Sequence, residues 1–322
     1  MKIIRTSDIK NLEISPAECV KWVRESFSVK NRAQLPPKNS IHPQGDDFFN
    51  TMPCLLPEEY NRFGVKEVHR IAGAVPALGS DFLLYDSSDG ELLAFIDADW
   101  ITAMRTGAVA TLAAQTFRSS KASVYSFIGL GNTARATLLC LLDSEPDIMH
   151  KVLLKKYKDQ ADLFIERFSG FGNVTFEVLD DVGDMIRESD VVISCITAAD
   201  GIICDDISCF RPGVLVIPVH TRGFQNCDTV FDKVYADDTA HVCGFRYFSQ
   251  FRQFAELSDV LSGDAEGRTD DNERILSYNI GLGLHDLIFA DKIYDMLKDR
   301  IPDLSLDRQT ENLCDGTHKA FH

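Results

Sequence analysis

Two glycines and an alanine in the middle of the chain have the spacing of a dinucleotide-binding turn. Gly129, Gly131 and Ala134 follow an apolar run and open a helical pattern that also includes Asn132 and Thr133. The first glycine permits a tight turn, the second lets the backbone approach a pyrophosphate, and the helix N-terminus offers free N–H groups. Glycines also end strands for structural reasons alone, but the strand and helix on either side favour a nucleotide site.

Lysines follow the next strand-like run, at the place where NAD-selective folds carry an acidic residue. Lys155 and Lys156 come directly after the apolar residues of 151–154. An acid there would hold the ribose 2′-hydroxyl, whereas a cation suits a 2′-phosphate. The sequence predicts NAD or NADP as cofactor and mildly favours NADP, unless these lysines are only a solvated strand end.

Strand and helix patterns alternate around the glycine turn. The strand-like runs are 123–128, 151–154, 174–178, 190–196, 214–219 and 233–236, and the helical stretches lie near 132–143, 158–169 and 182–188. This alternation predicts an α/β fold with a Rossmann-type, doubly wound parallel sheet.

The residues before about 115 have a different pattern. Short strand-like runs at 64–68, 81–85 and 92–96 precede a long helix that begins near Ala98. A last helix is predicted over 280–297 and is expected to return to this first unit. The sequence therefore predicts a smaller α+β domain, 1–115 with 285–322, and an NAD(P)-binding domain, 116–284.

The composition of the chain limits the kinds of partner that it can bind. The chain has 33 basic and 49 acidic residues, a net charge of −16, which argues against nucleic acid or an anionic membrane. No apolar run approaches the roughly 18 residues of a membrane span, and the N-terminus lacks a signal-peptide pattern. Nine cysteines without a CxxC pair fit free thiols in a reducing cytoplasm, and the eight histidines lack metal-ligand spacing.

Several segments, taken in order, resemble the ornithine cyclodeaminase/mu-crystallin family. They are Met52-Pro53, Gly64-Val-Lys66, Thr102-Ala-Met-Arg105-Thr106, Ile128-Gly-Leu-Gly-Asn-Thr-Ala134, Ile196-Thr-Ala198 and Ile280-Gly-Leu-Gly-Leu-His-Asp286. The resemblance covers nearly the whole chain. It implies a Rossmann domain that binds NAD or NADP, and a second domain that holds a small amino or imino acid and forms a homodimer.

The resemblance also implies roles for individual cations. Lys66 matches a lysine that contacts the substrate carboxylate, and Arg105 matches an arginine between substrate and cofactor. Lys38 stands where many members carry another carboxylate-binding arginine, so the charge is kept but the bidentate fork is lost. Without the resemblance, Lys66 could be a solvated lysine at a strand end and Arg105 an ordinary helix-face charge.

The same resemblance places four residues at the cofactor: Arg105, Thr106, Thr197 and Asn279. The family's catalytic aspartate is replaced, because an alignment on Gly223 and Asp228 puts His220 at its position. An imidazole with an ordinary pKa of about 6.5 could act as acid and base there, although a lone histidine at a strand end is often structural.

We therefore predict an NAD(P)-dependent oxidoreductase that transfers a hydride at the α-carbon of an α-amino or α-imino (ketimine) carboxylate. One alternative is a cyclodeaminase-type lyase that releases ammonia with catalytic NAD, which His220 disfavours. The other is a non-catalytic binder of NADPH and a small ligand, as in mu-crystallin. The pocket for the substrate side chain is expected to come from loops 36–50 and 69–80, in which the pattern does not place residues such as His42, Phe48 and Phe49.

Overall fold

Two β-sheets, each covered by helices, make up the part of the chain that the computed structural model describes, residues 1–197, 199 and 201–305. The first sheet has six strands in the order β1-β6-β5-β4-β3-β2. Its strands are β1 (Lys2–Ile4), β2 (Asn39–Ile41), β3 (Phe48–Leu55), β4 (Arg62–Arg70), β5 (Leu78–Asp86) and β6 (Leu92–Asp97). All neighbours are antiparallel except β1 and β6.

The second sheet has eight strands, all parallel, in the order β13-β12-β14-β11-β10-β7-β8-β9. Its strands are β7 (Val124–Ile128), β8 (His150–Lys155), β9 (Val174–Leu179), β10 (Val191–Ser194), β11 (Leu215–Pro218), β12 (Lys233–Ala236), β13 (Phe254–Glu256) and β14 (Ile275–Tyr278). The predicted Rossmann-type parallel sheet beside a smaller α+β unit is confirmed.

Nine α-helices are described in residues 1–305 outside positions 198 and 200. They are α1 (Thr6–Lys10), α2 (Pro16–Val29), α3 (Asp99–Phe117), α4 (Asn132–Ser144), α5 (Gln160–Arg167), α6 (Val182–Glu188), α7 (Thr239–Val242), α8 (Leu257–Ser262) and α9 (Gly283–Leu297). Within the described chain, none of them is long and apolar enough to cross a membrane.

Some predicted boundaries are wrong. The helix predicted over 280–297 begins at Gly283, because Gly281 has φ +98° and Leu282 has an extended backbone, so neither residue can lie in a helix. The predicted loops 36–50 and 69–80 contain β2 and parts of β3, β4 and β5. Backbone pairing between β2 and β3 holds polar residues in strands that no apolar pattern marks.

The domain division is supported by where the elements lie. Strands of the first sheet end at Asp97, those of the second begin at Val124, and α9 contacts β3, β4 and β5 of the first sheet. The boundaries at 115 and 284 remain our proposal, and residues 306–322 lie outside the described chain. Eight of the nine cysteines are free thiols, and Cys314 falls in that undescribed segment.

Strand register decides which residues of the first sheet face the helices. Met52, Lys66, Phe82 and Ile96 are cross-strand partners, and all four are buried. Partners in a sheet share a face, so Lys66 points with these apolar residues toward α3 and α9. The fold therefore carries a lysine side chain into a packed layer.

Candidate active site

The glycine turn joins β7 to α4 and leaves room for a ligand. Gly129 has φ +83°, and a Cβ there would come within 2.9 Å of the Ile196 backbone nitrogen. A Cβ on Gly131 would meet nothing within 4 Å. Gly131 caps α4 without a side-chain hydrogen bond, so no side chain covers the first helical N–H groups. The turn thus fits a pyrophosphate group, as the sequence predicts.

A cleft of about 520 Å³ extends from this turn across the carboxyl ends of β8 and β10. Its walls include Gly129, Gly131, Lys155, Lys156 and Thr197. Parallel strands bring their carboxyl ends to one edge of the sheet, which is where nucleotides bind in open α/β folds. The structure therefore gathers these five predicted cofactor residues around one space.

The two lysines of the cleft are held by the loop after β9. The Lys155 ammonium donates to the backbone carbonyls of Asp180, at 2.8 Å, and Lys156, at 3.2 Å. Lys156 is exposed, and its Nζ lies 3.3 Å from the Asp180 carboxylate, itself 83% exposed. An exposed pair of this kind is weak, so Lys156 can turn toward a bound anion.

The remaining predicted cofactor residues differ in what their side chains already bind. Thr106 donates to the Thr102 carbonyl of its own helix at 2.6 Å. Asn132 accepts a hydrogen bond from Arg135 at 3.3 Å, while Ala134 is buried in the core. Thr133 lies in the first turn of α4, where its backbone N–H faces the cleft end of the helix.

Asn279 follows β14 and is almost fully buried. Its Nδ2 donates to the Ser277 carbonyl at 3.0 Å, but its Oδ1 has no donor among the described residues. A buried acceptor without a donor is costly unless a ligand supplies one. Asn279 therefore offers a free hydrogen-bond acceptor at the carboxyl end of β14, but it is not among the described residues that line the cofactor cleft.

The predicted substrate cations meet at a carboxylate that the sequence reasoning did not assign. Lys66 Nζ lies 2.7 Å from Asp286 Oδ2, and Arg105 Nε donates to Asp286 Oδ1 at 3.1 Å. Lys66 and Asp286 are fully buried and the Arg105 side chain is 7% exposed. Lys66 is therefore not a solvated lysine, and Arg105 is not an ordinary surface charge.

These groups leave a surplus of positive charge. Burial and, to a smaller extent, the charge of Arg105 lower the pKa of Lys66 to about 7, against the opposing effect of Asp286. Two buried cations thus share one carboxylate. An added anion would stabilise the ammonium form of Lys66, so the cluster suits a substrate carboxylate.

Gly281 and Lys38 complete this region. Gly281 has φ +98°, and a Cβ there would lie 2.0 Å from Arg105 Nη1, so only glycine lets the guanidinium take its place. Lys38 is half-buried, and burial lowers its pKa while Asp237 opposes the shift. A small pocket is lined by both Lys38 and Gly281, which brings the third predicted cation near Arg105.

His220 lies in a separate cavity that adjoins the cofactor cleft. Its Nε2 is 2.7 Å from Ser194 Oγ, and the Arg222 backbone N–H donates to its Nδ1 at 3.4 Å. With Nδ1 accepting, the neutral ring carries its hydrogen on Nε2 and donates to Ser194. Burial lowers the pKa of His220 to about 4, so the expected ordinary pKa is wrong.

The cavity around His220 has a volume of about 370 Å³ and shares Thr197 with the cofactor cleft. His42 and Phe48, which the sequence pattern did not place, line it. Phe49 does not: it pairs with His69 on the opposite face of the sheet and is 40% exposed. The two phenylalanines are separated because neighbouring strand residues point to opposite faces.

Two residues of this region were missed from the sequence. Asp286 lies within the recognised 280–286 segment, and its place in the apolar run of α9 was a usable signal, because a charge there needs a partner. Ser194 has no such signal, since a serine at a strand end is ordinary.

The comparisons with known proteins agree on one family. The family model described as "Ornithine cyclodeaminase/mu-crystallin family" matches residues 2–300. The nodulation efficiency protein NfeD of Rhizobium meliloti is 27% identical over 275 residues, 81% of this chain and 83% of that protein. A Δ1-pyrroline-2-carboxylate reductase of Bacillus cereus is 26% identical over 227 residues, 66% of this chain and 69% of that protein.

Solved structures share the fold. The Thermococcus litoralis Δ1-pyrroline-2-carboxylate reductase, in complex with NADH and L-proline, matches with a TM-score of 0.82 at 22% identity, over 93% of this chain and 98% of that one. An archaeal alanine dehydrogenase dimer with bound NAD matches at 0.81 and 21% identity, over 95% and 99%. By its family-model match over nearly its whole length, the chain belongs to the ornithine cyclodeaminase/mu-crystallin family.

Proposed function

We propose that this protein is an NAD(P)-dependent oxidoreductase that transfers a hydride at the α-carbon of an α-amino or α-imino carboxylate. One observation carries the proposal: Lys66 and Arg105, both buried, share the single carboxylate of Asp286. When Lys66 is protonated the cluster has one more cation than anion, and it then binds a further carboxylate, which in turn favours the protonated form. The pyrroline-2-carboxylate reductases among its relatives support the same chemistry.

The chain's own residues divide the work as follows. Lys66 and Arg105 bind and orient the substrate carboxylate, with Lys38 as a third cation beside them. A reduced nicotinamide, when bound, supplies a hydride to the α-carbon, while the imine nitrogen gains one proton. His220 is neutral near pH 7, so it accepts a proton when an amine is oxidised and, once protonated, returns it to nitrogen during reduction.

We also propose NADP as the preferred cofactor. Lys155 and Lys156 line the cleft at the end of β8, where an acidic residue would repel a 2′-phosphate. The cofactor residues in this proposal are Arg105, Thr106, Gly129, Gly131, Asn132, Thr133, Ala134, Lys155, Lys156, Thr197 and Asn279.

A homodimer through the first sheet is our proposal for the assembly. Pro53, Val65, Leu83 and Phe95 are cross-strand partners on the face turned away from the helices, and each is at least partly exposed. Such an apolar stripe marks an interaction surface. Leu83→Asp should convert a dimer to a monomer in analytical ultracentrifugation, whereas Leu163→Asp, at an exposed leucine of α5, should not.

Turnover measurements test the activity. Oxidation of NADPH and NADH is followed with 2-oxo acids plus ammonia or methylamine, and with cyclic imino acids. Cofactor oxidation matched by amine formation supports the proposal. Ammonia release from ornithine without net cofactor use would indicate the lyase, and tight cofactor binding with no turnover would indicate a non-catalytic binder; either result overturns the proposal.

A further inference from the structure

The cavity beside His220 carries two arginines that the proposed chemistry does not use. Arg70 ends strand β4, and Arg222 follows β11. Both line the 370 Å³ space that also contains Thr197, so they lie on the substrate side of the cofactor cleft.

Neither guanidinium is neutralised by the described chain. The polar partner of Arg70 is the backbone carbonyl of Asp46, at 3.5 Å, and within residues 1–305 outside the two undescribed positions no carboxylate lies within 4.0 Å of Arg70 or Arg222. Arg62, on the same strand, is paired with Asp291 at 2.6 Å. The lack of a carboxylate partner is therefore a feature of Arg70 at the cavity and not of every arginine on β4.

The other ionisable residues that line the cavity leave its wall with a net positive charge. His220 is neutral at pH 7 because burial lowers its pKa to about 4. His42 faces the Asp47 carbonyl through Nδ1 at 3.0 Å. Asp46 is the one acidic residue among the described lining residues, so two guanidinium charges face a single carboxylate.

Strand geometry relates this cavity to the carboxylate cluster. Lys66 and Arg70 lie four residues apart on β4 and therefore share a face. Their Cα atoms are about 13 Å apart at the rise of a strand, and both side chains are long. Phe48, the cross-strand partner of Arg70, lines the same cavity. Lys66 and Arg70 thus point to the same side of the first sheet, which is the arrangement that a ligand with two acidic ends would need.

We propose that the substrate's side chain ends in a second carboxylate, which Arg70 and Arg222 bind while Lys66 and Arg105 hold the α-carboxylate. This inference rests on the proposed function and narrows its substrate class to amino or imino diacids. Asp46 at the same wall would attract a cationic side-chain terminus, but its single charge is outweighed by the two arginines, which repel a cation and bind a carboxylate.

Binding of unreactive acids tests the proposal independently of turnover. Glutarate and valerate have the same five-carbon chain and differ by one terminal carboxylate. Calorimetry with and without NADPH should show glutarate binding roughly ten- to a hundredfold more tightly. Arg70→Met should remove most of that preference and leave valerate binding and NADPH affinity unchanged. Arg222→Met should reduce it as well, and Arg24→Met, at an exposed arginine of α2, should not.

Equal affinity for glutarate and valerate would overturn the inference. So would an Arg70→Met variant in which the affinities for the two acids fall by the same factor. A loss of NADPH affinity in that variant would show that the arginine serves the cofactor, and would also overturn it. The proposed function fails separately, if no 2-oxo acid, acidic or neutral, supports cofactor oxidation with any amine. The two failures are thereby distinguishable.

Discussion

The Lys66 ammonium and the Asp286 carboxylate lie 2.7 Å apart with both side chains fully buried. Lys66 comes from the middle of β4 and Asp286 from the first turn of α9, so the contact joins the first sheet to the helix that covers it. Arg105 of α3 reaches the other oxygen of the same carboxylate. Three separate elements are thus fixed by one acidic group.

Removal of the Asp286 charge should destabilise the whole protein. Asp286→Asn leaves two buried cations without a counter-charge, and loss of one partner of a buried pair costs about 3–5 kcal/mol of unfolding free energy. Urea unfolding measures the change. Asp295→Asn is the control, since that aspartate of α9 is 49% exposed and pairs with Lys298. A change below about 1 kcal/mol for Asp286→Asn would contradict the role.

Binding of a carboxylate should be coupled to proton uptake above pH 7. Burial lowers the pKa of Lys66 to about 7, so free Lys66 is largely neutral at pH 8.5, and a bound anion favours its charged form. Affinity for valerate should therefore fall as pH rises through 7. Calorimetry in two buffers of different ionisation enthalpy should give an uptake approaching one proton at pH 8.5 and near zero at pH 5.5.

The lowered pKa of Lys66 also makes the stability of the protein depend on pH. The folded chain loses the Lys66 proton near pH 7, whereas the unfolded chain keeps it to about pH 10.5. Between these values the unfolded state binds more protons, so this group makes the unfolding free energy rise with pH. Lys66→Arg, whose charge does not titrate, should abolish both the proton uptake and this contribution.

The two glycines of the turn should respond differently to alanine. Gly131→Ala should leave the melting temperature unchanged, because its Cβ meets only open space, yet weaken cofactor binding by filling the place of the pyrophosphate. Gly129→Ala should lower stability, since it has φ +83° and its Cβ would meet the Ile196 backbone. Equal cofactor affinity in Gly131→Ala and wild type would argue against a phosphate site at the turn.

Turnover should depend on His220. His220→Asn should lower kcat roughly 10²-fold or more and leave cofactor affinity nearly intact, because a proton carrier is lost without a change in the binding cleft. Since the pKa of His220 is about 4, kcat/KM for amine oxidation should not show its titration between pH 6 and 8. An unchanged rate in the variant would remove His220 from the mechanism.

Cofactor preference should follow the lysines at the end of β8. Replacement of Lys155 and Lys156 together by alanine should weaken NADPH binding about tenfold, through loss of charge-assisted contacts, and leave NADH binding unchanged. Lys151→Ala, on the same strand but paired with Glu177, is the matched control. Parallel losses for both cofactors would indicate that these lysines do not recognise the 2′-phosphate.

The sequence was sufficient where apolar patterns are long or punctuated by glycine. The strand predicted at 190–196 is observed as Val191–Ser194, and the helix after Gly131 spans Asn132–Ser144. Strand β14 was missed although strands of the same length such as β10 were predicted, and its place between β11 and β12 depends on neighbours that are distant in sequence.

The residues of the candidate site likewise divide into those that the sequence predicted and those that it did not. The family resemblance identified Lys66 and Arg105, since the matching segments contain them. A charge in the apolar run of α9 marked Asp286 as needing a partner, but which partner it has depends on α9 packing across the first sheet. The lowered pKa of His220 likewise arises from burial, a property of the folded chain rather than of the residue type.

The position of Asp286 also sets the order in which the protein can mature during synthesis. Arg105 and Asp286 are 181 residues apart, so a ribosome needs roughly 10 to 40 seconds to add the second after the first. Throughout that interval the two cations lack their shared counter-ion and cannot be buried cheaply. The strands of the first sheet are therefore synthesised early, but the layer that buries Lys66 and Arg105 can close only after α9 has been made.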